Sequence, residues 1–223
     1  MRAELFDEAK ALTPYTSVLI GEEVFVVATD DTEAFEKTFV DGWDGEIAML
    51  ARAVACLAEL GLRPPAESTF VEAGANIGVT TVIALRRHGF AAAVTIEPAA
   101  GRRRALRVNV TANDVDGRVR IFDALAAESM IDPSQVGLLW LAVGAEGEAL
   151  PAGTETLLEA GVPLVVAVEP GSAGSRTAPA GLLDSRYTDF VDLRPDCARR
   201  PIGELRSFLD SLTAPTSVLL VRR

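Results

Sequence analysis

One glycine-rich turn and three acids carry the chemistry that this sequence could do. The turn is Glu72-Ala73-Gly74-Ala75-Asn76-Ile77-Gly78, an acid first and then the glycines with an asparagine between them. Glycine at such a turn lets backbone amides come close to a ligand and permits dihedrals that other residues resist. A helix predicted from Gly78 would add unsatisfied N–H groups at its first turn. The order is not that of the dinucleotide fingerprint G-x-G-x-x-G. Glu97 follows in Thr95-Ile96-Glu97-Pro98, at the predicted tip of the next strand. An acid there can accept from both hydroxyls of a ribose. Asp123 follows a third strand and could take a hydrogen bond from an adenine amino group. It reads equally well as a cap or a solvated loop acid.

Three acids at three successive strand tips lie on the edge where open α/β sheets bind ligands. S-adenosylmethionine (SAM) has an ammonium and a sulfonium and no pyrophosphate. An acid beside the turn suits it better than a dinucleotide. Glu72, Gly74, Ala75, Asn76, Gly78, Glu97 and Asp123 are therefore the expected cofactor-binding residues.

Methyl transfer from SAM is an in-line displacement, and the protein contributes mainly by positioning. An alcohol acceptor also needs a base within hydrogen-bond reach. The one histidine, His88, falls at a helix end before Gly89, away from the strand tips. Its better reading is a helix C-terminal residue. The remaining base candidates are Glu146, Glu148 and Glu169. Glu169 ends the predicted fifth strand, and Glu146 and Glu148 read also as solvated loop acids. Trp43, Trp140 and Tyr187 could line a substrate pocket, although isolated aromatics more often belong to a core. Arg176 could meet an anionic substrate. No H-E-x-x-H or paired-cysteine spacing signals a metal.

These residues need a sheet to position them. Ser17–Ile20 and Val24–Ala28 read as a hairpin about Gly21. Asp30-Asp31-Thr32 would cap a short helix through Phe39, and apolar spacing predicts a helix over Trp43–Leu60 that Gly61 ends. Strands follow at Thr69–Ala73, Ala92–Ile96, Arg118–Phe122, Val136–Val143 and Pro163–Val168. Helices at Gly78–Arg87, Ala99–Asn109 and Thr154–Ala160 alternate with them. This rhythm of near-continuous apolar strands predicts a parallel sheet covered on both faces. Gly171–Ala180 reads as a loop. Strands Tyr187–Leu193 and Ser217–Val221 flank a helix over Ile202–Leu212. Residues 1–64 form an expected N-terminal subregion on the substrate side, and 65–223 a Rossmann-like domain.

Composition narrows the partners. The 223 residues carry 21 basic and 32 acidic groups, a formal net charge of -11. That balance argues against nucleic acid and against an anionic membrane surface. The basic run Arg102-Arg103-Arg104 with Arg107 has no interleaved aromatics and reads as a helix face paired with the excess acids. Two cysteines far apart, Cys56 and Cys197, make neither a disulfide scaffold nor a zinc site. The apolar runs are too short to span a bilayer, and Met1–Leu12 lacks the apolar core of a signal peptide. A cytoplasmic protein with a small-molecule substrate is expected, with room for a homodimer.

The residues resemble the FkbM-type family of class I SAM-dependent methyltransferases. The resemblance rests on Phe70-Val71-Glu72-Ala73-Gly74-Ala75-Asn76-Ile77-Gly78, on Ile96-Glu97-Pro98, and on the helix ending at Asn109 and Asn113. Gly42-Trp43-Asp44-Gly45-Glu46, Gly161–Val166 and Pro201–Leu205 are similar too. It implies a seven-stranded, mostly parallel sheet with a reversed last strand, and O-methylation of a small molecule or sugar. It also implies Glu72 and Gly74–Gly78 around the methionine part of SAM and Glu97 on the ribose. One departure is that Ala142 stands where the family commonly has an aspartate. The alternative reading is therefore a non-catalytic SAM- or S-adenosylhomocysteine (SAH)-binding protein, or a partner of an active homologue.

Overall fold

The computed structural model describes residues 12–124, 131–142, 154–168, 186–214 and 216–222. Glu146, Glu148, Glu169, Arg176 and the segment 171–180 lie outside these residues.

The chain opens with the expected hairpin, β1 (Tyr15–Ile20) against β2 (Glu23–Ala28), turning at Gly21 with φ 69°. The helix α1 (Thr32–Glu36) begins where Asp31 accepts from the Ala34 amide at 3.1 Å, as a capping aspartate should. It does not run on as α-helix to Phe39. Residues Lys37–Asp41 form a turn of π-helix instead. The long helix α2 (Asp44–Glu59) follows, and Gly61, at φ 65°, ends it.

Strands and helices then alternate: β3 (Thr69–Ala73), α3 (Val79–Arg86), β4 (Ala92–Ile96), α4 (Ala100–Ala112), β5 (Val119–Phe122), β6 (Val136–Leu141), α5 (Thr154–Glu159) and β7 (Leu164–Val168). The C-terminal part adds β8 (Asp189–Asp192), β9 (Arg199–Pro201), α6 (Leu205–Asp210) and β10 (Thr216–Val221). The sheet order is β5-β4-β3-β6-β7-β10-β8-β9. Strands β3 to β7 pair in parallel, while β10 runs antiparallel to both β7 and β8. The reversed last strand is as expected.

Among the described residues the sheet has eight strands rather than seven. The extra one is β9, an Arg-Arg-Pro segment paired antiparallel with β8 at the sheet edge. It carries no apolar alternation, and proline is tolerated at an edge because one side of the strand needs no donor.

All six residues of β6 are buried, so it is covered on both faces. Leu138 and Trp140 point into one core with α2, α3, α4 and the hairpin. Leu139 and Leu141 point into the other, against Leu157 and Leu158 of α5 and Phe208 of α6. That double burial is why the strand reads as an unbroken apolar run.

The hairpin is held to the main body by two asparagines one turn apart on and just after α4. Asn109 Oδ1 accepts from the Val26 amide at 2.7 Å, and its Nδ2 donates to the Val26 carbonyl at 3.1 Å. Asn113 does the same for Val24, at 3.0 and 2.7 Å. Each carboxamide thus stands in for a neighbouring strand. Arg87 adds contacts to the Ile20 carbonyl at 2.6 Å and to the buried Glu23 carboxylate at 2.5 Å. These hydrogen bonds pull Glu23 below its ordinary pKa.

Candidate functional site

Four strand tips meet at one edge. The Gly74 and Ala75 amides donate to Ile96 O at 2.9 and 3.0 Å, the Glu97 amide to Phe122 O at 3.0 Å, and the Ala142 amide to Ala73 O at 3.0 Å. The ladder is therefore carried one step past β3, β4 and β6, and the chain at each tip has a fixed direction.

At the tip of β3 the turn uses the left-handed region three times, at Gly74 (φ 83°), Asn76 (φ 53°) and Gly78 (φ 87°). Asparagine is among the few side-chain-bearing residues that accept this region. At the other two a side chain would also collide with its surroundings. A Cβ on Gly74 would lie 2.9 Å from the Ala142 carbonyl oxygen, and one on Gly78 would lie 2.1 Å from Leu106 Cδ1.

Glu97 is buried and built into this turn. Its Oε2 accepts from the Asn76 amide at 2.7 Å and its Oε1 from the Ala99 amide at 2.8 Å. Burial raises its pKa, opposed by those two amides and by Arg102 and Arg103. Each carboxylate oxygen has a second lone pair. The side-chain oxygen of the same asparagine, Asn76 Oδ1, is buried without a hydrogen-bond partner. An orphaned buried acceptor is uncommon in a folded protein, and it marks a place where a donor is missing.

Glu72 lies behind the turn. It is 3% exposed, and the Thr81 hydroxyl donates to its Oε2 from the first turn of α3. Burial pushes its carboxyl up to about 8, with Thr81 and Thr80 opposing and the charges of Glu46 and Glu97 reinforcing. Its contact seen here is thus with α3, tying the strand end to the helix start. Asp123 is placed otherwise. Its side chain is 75% exposed at the tip of β5, with Arg103 Nη2 at 3.9 Å.

The two tryptophans are both buried in the core on the α2–α4 side. Trp140 pairs in register with Glu72 across β3 and β6. Trp43 precedes α2 in the left-handed region, at φ 61°, and its Nε1 donates to Thr38 Oγ1 at 3.0 Å. Lys37 Nζ sits 4.2 Å from its ring centroid and pairs with Glu46. Tyr187 is buried, its hydroxyl donating to the Val162 carbonyl at 2.8 Å. His88 lies just after α3, where burial and Arg87 lower its pKa. Among the basic residues of α4, Arg102 pairs with Asp31 at 2.7 Å and Glu33 at 2.8 Å. Arg103 donates to the Glu97 and Pro98 carbonyls. Among the described residues no group of three or more His, Cys, Asp or Glu could hold a metal, and no helix is long and apolar enough to cross a membrane.

No protein-family model and no curated protein matches the chain. Solved structures do. The M. jannaschii TYW2 structure, in complex with AdoMet, aligns with TM-score 0.55 at 11% identity, over 95% of this chain and 88% of that one. The T. thermophilus 16S rRNA methyltransferase RsmC, in complex with AdoMet and guanosine, aligns with TM-score 0.54 at 13% identity, over 94% of this chain and 50% of that one. The chain shares with these two structures a Rossmann-like α/β fold with a central, mostly parallel sheet. The chain spans only half the length of RsmC. The narrower likeness to the FkbM type rests on the motifs alone.

Three features of this edge were not visible in the residues as such. Asn109 Nδ2 donates to the Ile77 carbonyl at 2.8 Å and so holds the glycine turn from beneath. Ala142 packs its backbone directly against Gly74. Glu46, from the N-terminal subregion, is close enough to raise the pKa of Glu72. The one available signal was the pair Asn109 and Asn113 at helical spacing, since a buried asparagine inside a helix needs partners.

Proposed function

We propose that this protein is a SAM-dependent methyltransferase that O-methylates a small molecule or sugar in secondary metabolism. The observation that carries this reading is the joint construction of the turn and Glu97: the Asn76 amide bonds Glu97, and the Oδ1 of the same asparagine is orphaned. The residues fit the cofactor. Gly74 and Gly78 pack closely on Ala142 and Leu106, which fixes the path of the turn's backbone. Gly74, Ala75, Asn76 and Gly78 would hold the methionine part, with Glu72 fixing the turn from behind. The free lone pairs of Glu97 would take the ribose hydroxyls, and Asp123 the adenine side. Both structural neighbours named above are AdoMet complexes, which supports the same cofactor.

SAM supplies a methyl group on a positively charged sulfur leaving group. The chain's part is to align the acceptor and take its proton. Glu169, directly after β7, and Glu146, after β6, are the proposed bases and Arg176 the proposed substrate-side residue, whereas Trp43 and Trp140, expected on the substrate side, are core residues here. The excess of acidic groups favours a small acceptor over a nucleic acid. A cytoplasmic location and a homodimer are part of the same proposal. Calorimetric titration with SAM, SAH and NAD tests the first half: SAM and SAH should bind and NAD should not. Labelled SAM with panels of sugar and phenolic acceptors tests the second. SAM binding with no methyl transfer to any acceptor class would count against catalysis.

One observation favours a second reading. Ala142, at the position where an aspartate is common in the resembling family, sits against Gly74 and offers no carboxylate there. A non-catalytic SAM- or SAH-binding role would follow. Ala142→Asp should then create methyl transfer that the native chain lacks; turnover by the native chain rules the second reading out.

A further inference from the structure

The fold brings together two cysteines that lie 141 positions apart, from 56 to 197. Cys56 is in the last turn of α2, 6% exposed. Cys197 is half-buried in the turn that joins β8 to β9, and it packs against the core to which Cys56 belongs. Arg52 and Cys56 lie one turn apart on the same face of α2, and that face meets the turn that carries Cys197, close enough for Cys197 to bear on the Cys56 thiol. The backbone around them is fixed from both sides. Arg52, one turn before Cys56, donates to the Leu193 carbonyl at 2.9 Å, which ties α2 to the start of the turn. The Cys197 amide donates to Arg194 O at 2.9 Å and the Asp192 amide to Ala198 O at 3.1 Å, which closes the turn itself. Cys197 is also held at φ 43°, in the left-handed region that side chains other than Asn, Asp and His rarely enter. Strain of this kind persists only where the surroundings impose it, and it occurs at sites with a use.

We propose that Cys56 and Cys197 are a reversible dithiol–disulfide pair, oxidised by hydroperoxides, that staples α2 to the β8–β9 turn. This inference is independent of the cofactor reading. Cys197 is the more accessible sulfur and meets the oxidant first. Its thiolate attacks the peroxide, the O–O bond breaks, and Cys197 becomes a sulfenic acid with release of one water. The Cys56 sulfur then attacks the Cys197 sulfur, the S–O bond breaks, and a second water leaves. Two thiols and one hydrogen peroxide give one disulfide and two waters. Burial first, and then the neighbouring Cys197, push the Cys56 thiol up to about 11. It is therefore protonated at neutral pH and is not the sulfur that reacts first with peroxide; it must lose its proton as it attacks the Cys197 sulfenic acid, which makes resolution the slow step.

A disulfide in an intracellular protein is usually such a transient, sensing bond rather than a permanent staple. Dithiothreitol should open it.

The test uses the full chain. The reduced protein is treated with hydrogen peroxide, the remaining thiols are capped with N-ethylmaleimide, and the digest is mapped by mass spectrometry. The proposal expects a cross-linked peptide pair joining Cys56 to Cys197, a monomeric product, and full return of both thiols on reduction. It expects a thermal midpoint higher by roughly 5–10 °C in the oxidised form, because the bond closes a long loop of the unfolded chain. In Cys56→Ser, Cys197 should instead trap dimedone as a sulfenic acid. Both cysteines alkylated after peroxide, Cys197 over-oxidised to sulfinic acid in the native chain, or a cross-link only between two molecules would each overturn it.

Discussion

The side chain of Asn109 holds the carbonyl of Ile77 at 2.8 Å while it also pairs with both backbone groups of Val26. One carboxamide thus joins the glycine turn, the helix α4 and the N-terminal hairpin. Asn109 is wholly buried, and its bond to Ile77 is shut off from water, while those to Val26 are partly so.

Asn109→Ala should therefore cost more than one ordinary hydrogen bond. It leaves the Val26 amide and carbonyl and the Ile77 carbonyl without a partner, at about 1–3 kcal/mol for each unsatisfied group. We expect a loss of roughly 3 kcal/mol or more in a urea titration, and a several-fold weaker SAM affinity by calorimetry. Asn109→Asp should recover only the Val26 amide bond. An Asn109→Ala protein with native stability would show that the carboxamide is not what holds the hairpin.

The turn glycines give a second test, and their surroundings differ. Gly74→Ala meets a backbone oxygen at 2.9 Å, which cannot move without shifting the tip of β6. Gly78→Ala meets Leu106 Cδ1 at 2.1 Å, the far end of a side chain that can rotate. Both also place a side chain at positive φ, at a cost of about 1–2 kcal/mol. Gly74→Ala should lose SAM binding more completely than Gly78→Ala, while both lower the thermal midpoint. The affinity ratio of the two variants is the quantity to measure.

Glu72 predicts a pH dependence with a definite sign. Its folded pKa is about 8 and its ordinary value is 4.5. Between these values the folded chain keeps a proton that the unfolded chain has lost. The contribution of Glu72 is therefore most favourable below about 4.5, falls as pH rises to about 8, and is constant beyond. Glu72→Gln removes this dependence. The stability of the native chain minus that of the variant should fall across this window, by up to about 1.4 kcal/mol per pH unit. Denaturant titrations at pH 5, 6, 7 and 8 would check it, and a constant difference would show that Glu72 is ionised in the folded state.

Much of the sheet was legible in the sequence, and the reason is burial. Strands such as β6 are covered on both faces and read as continuous apolar runs. The glycine turn was legible because its backbone dihedrals restrict the residue types. What stayed hidden needed three-dimensional proximity or lacked an apolar signal. Strand β9 is Arg-Arg-Pro, with nothing to mark it. Glu72 could be placed beside the turn but not behind it, since alternation along five residues does not say which way a tip residue leans. The switch from α- to π-helix at Lys37 has no mark in the residue types of Lys37–Asp41. Cys56 and Cys197 looked unrelated because only the fold brings them together.

Glu97 offers the most direct test of the site. Glu97→Gln keeps the shape but turns an NH2 toward one of the two amides that the carboxylate accepts from. The neutral amide also weakens the proposed bonds from the ribose hydroxyls, and losing one charge-assisted bond to the ligand costs about 1.5–3 kcal/mol, or roughly tenfold to more than a hundredfold in affinity. SAM affinity should fall by that factor, and Asp123→Asn, at an exposed side chain, by much less. Equal losses would give the adenine-side contact of Asp123 the same weight as the ribose contact of Glu97 and overturn the ranking of the two acids.

Strand β10 has a consequence for how the chain is made. It lies between β7 and β8 in the sheet but follows both in the sequence. Until Thr216–Val221 has left the ribosome, β7 and β8 have no strand between them and each keeps an open edge. Translation order and sheet order therefore conflict at this one place. The nascent chain must carry two unfinished half-sheets at once, and it is during that interval, not in the finished protein, that its apolar strands are most open to pairing with another chain.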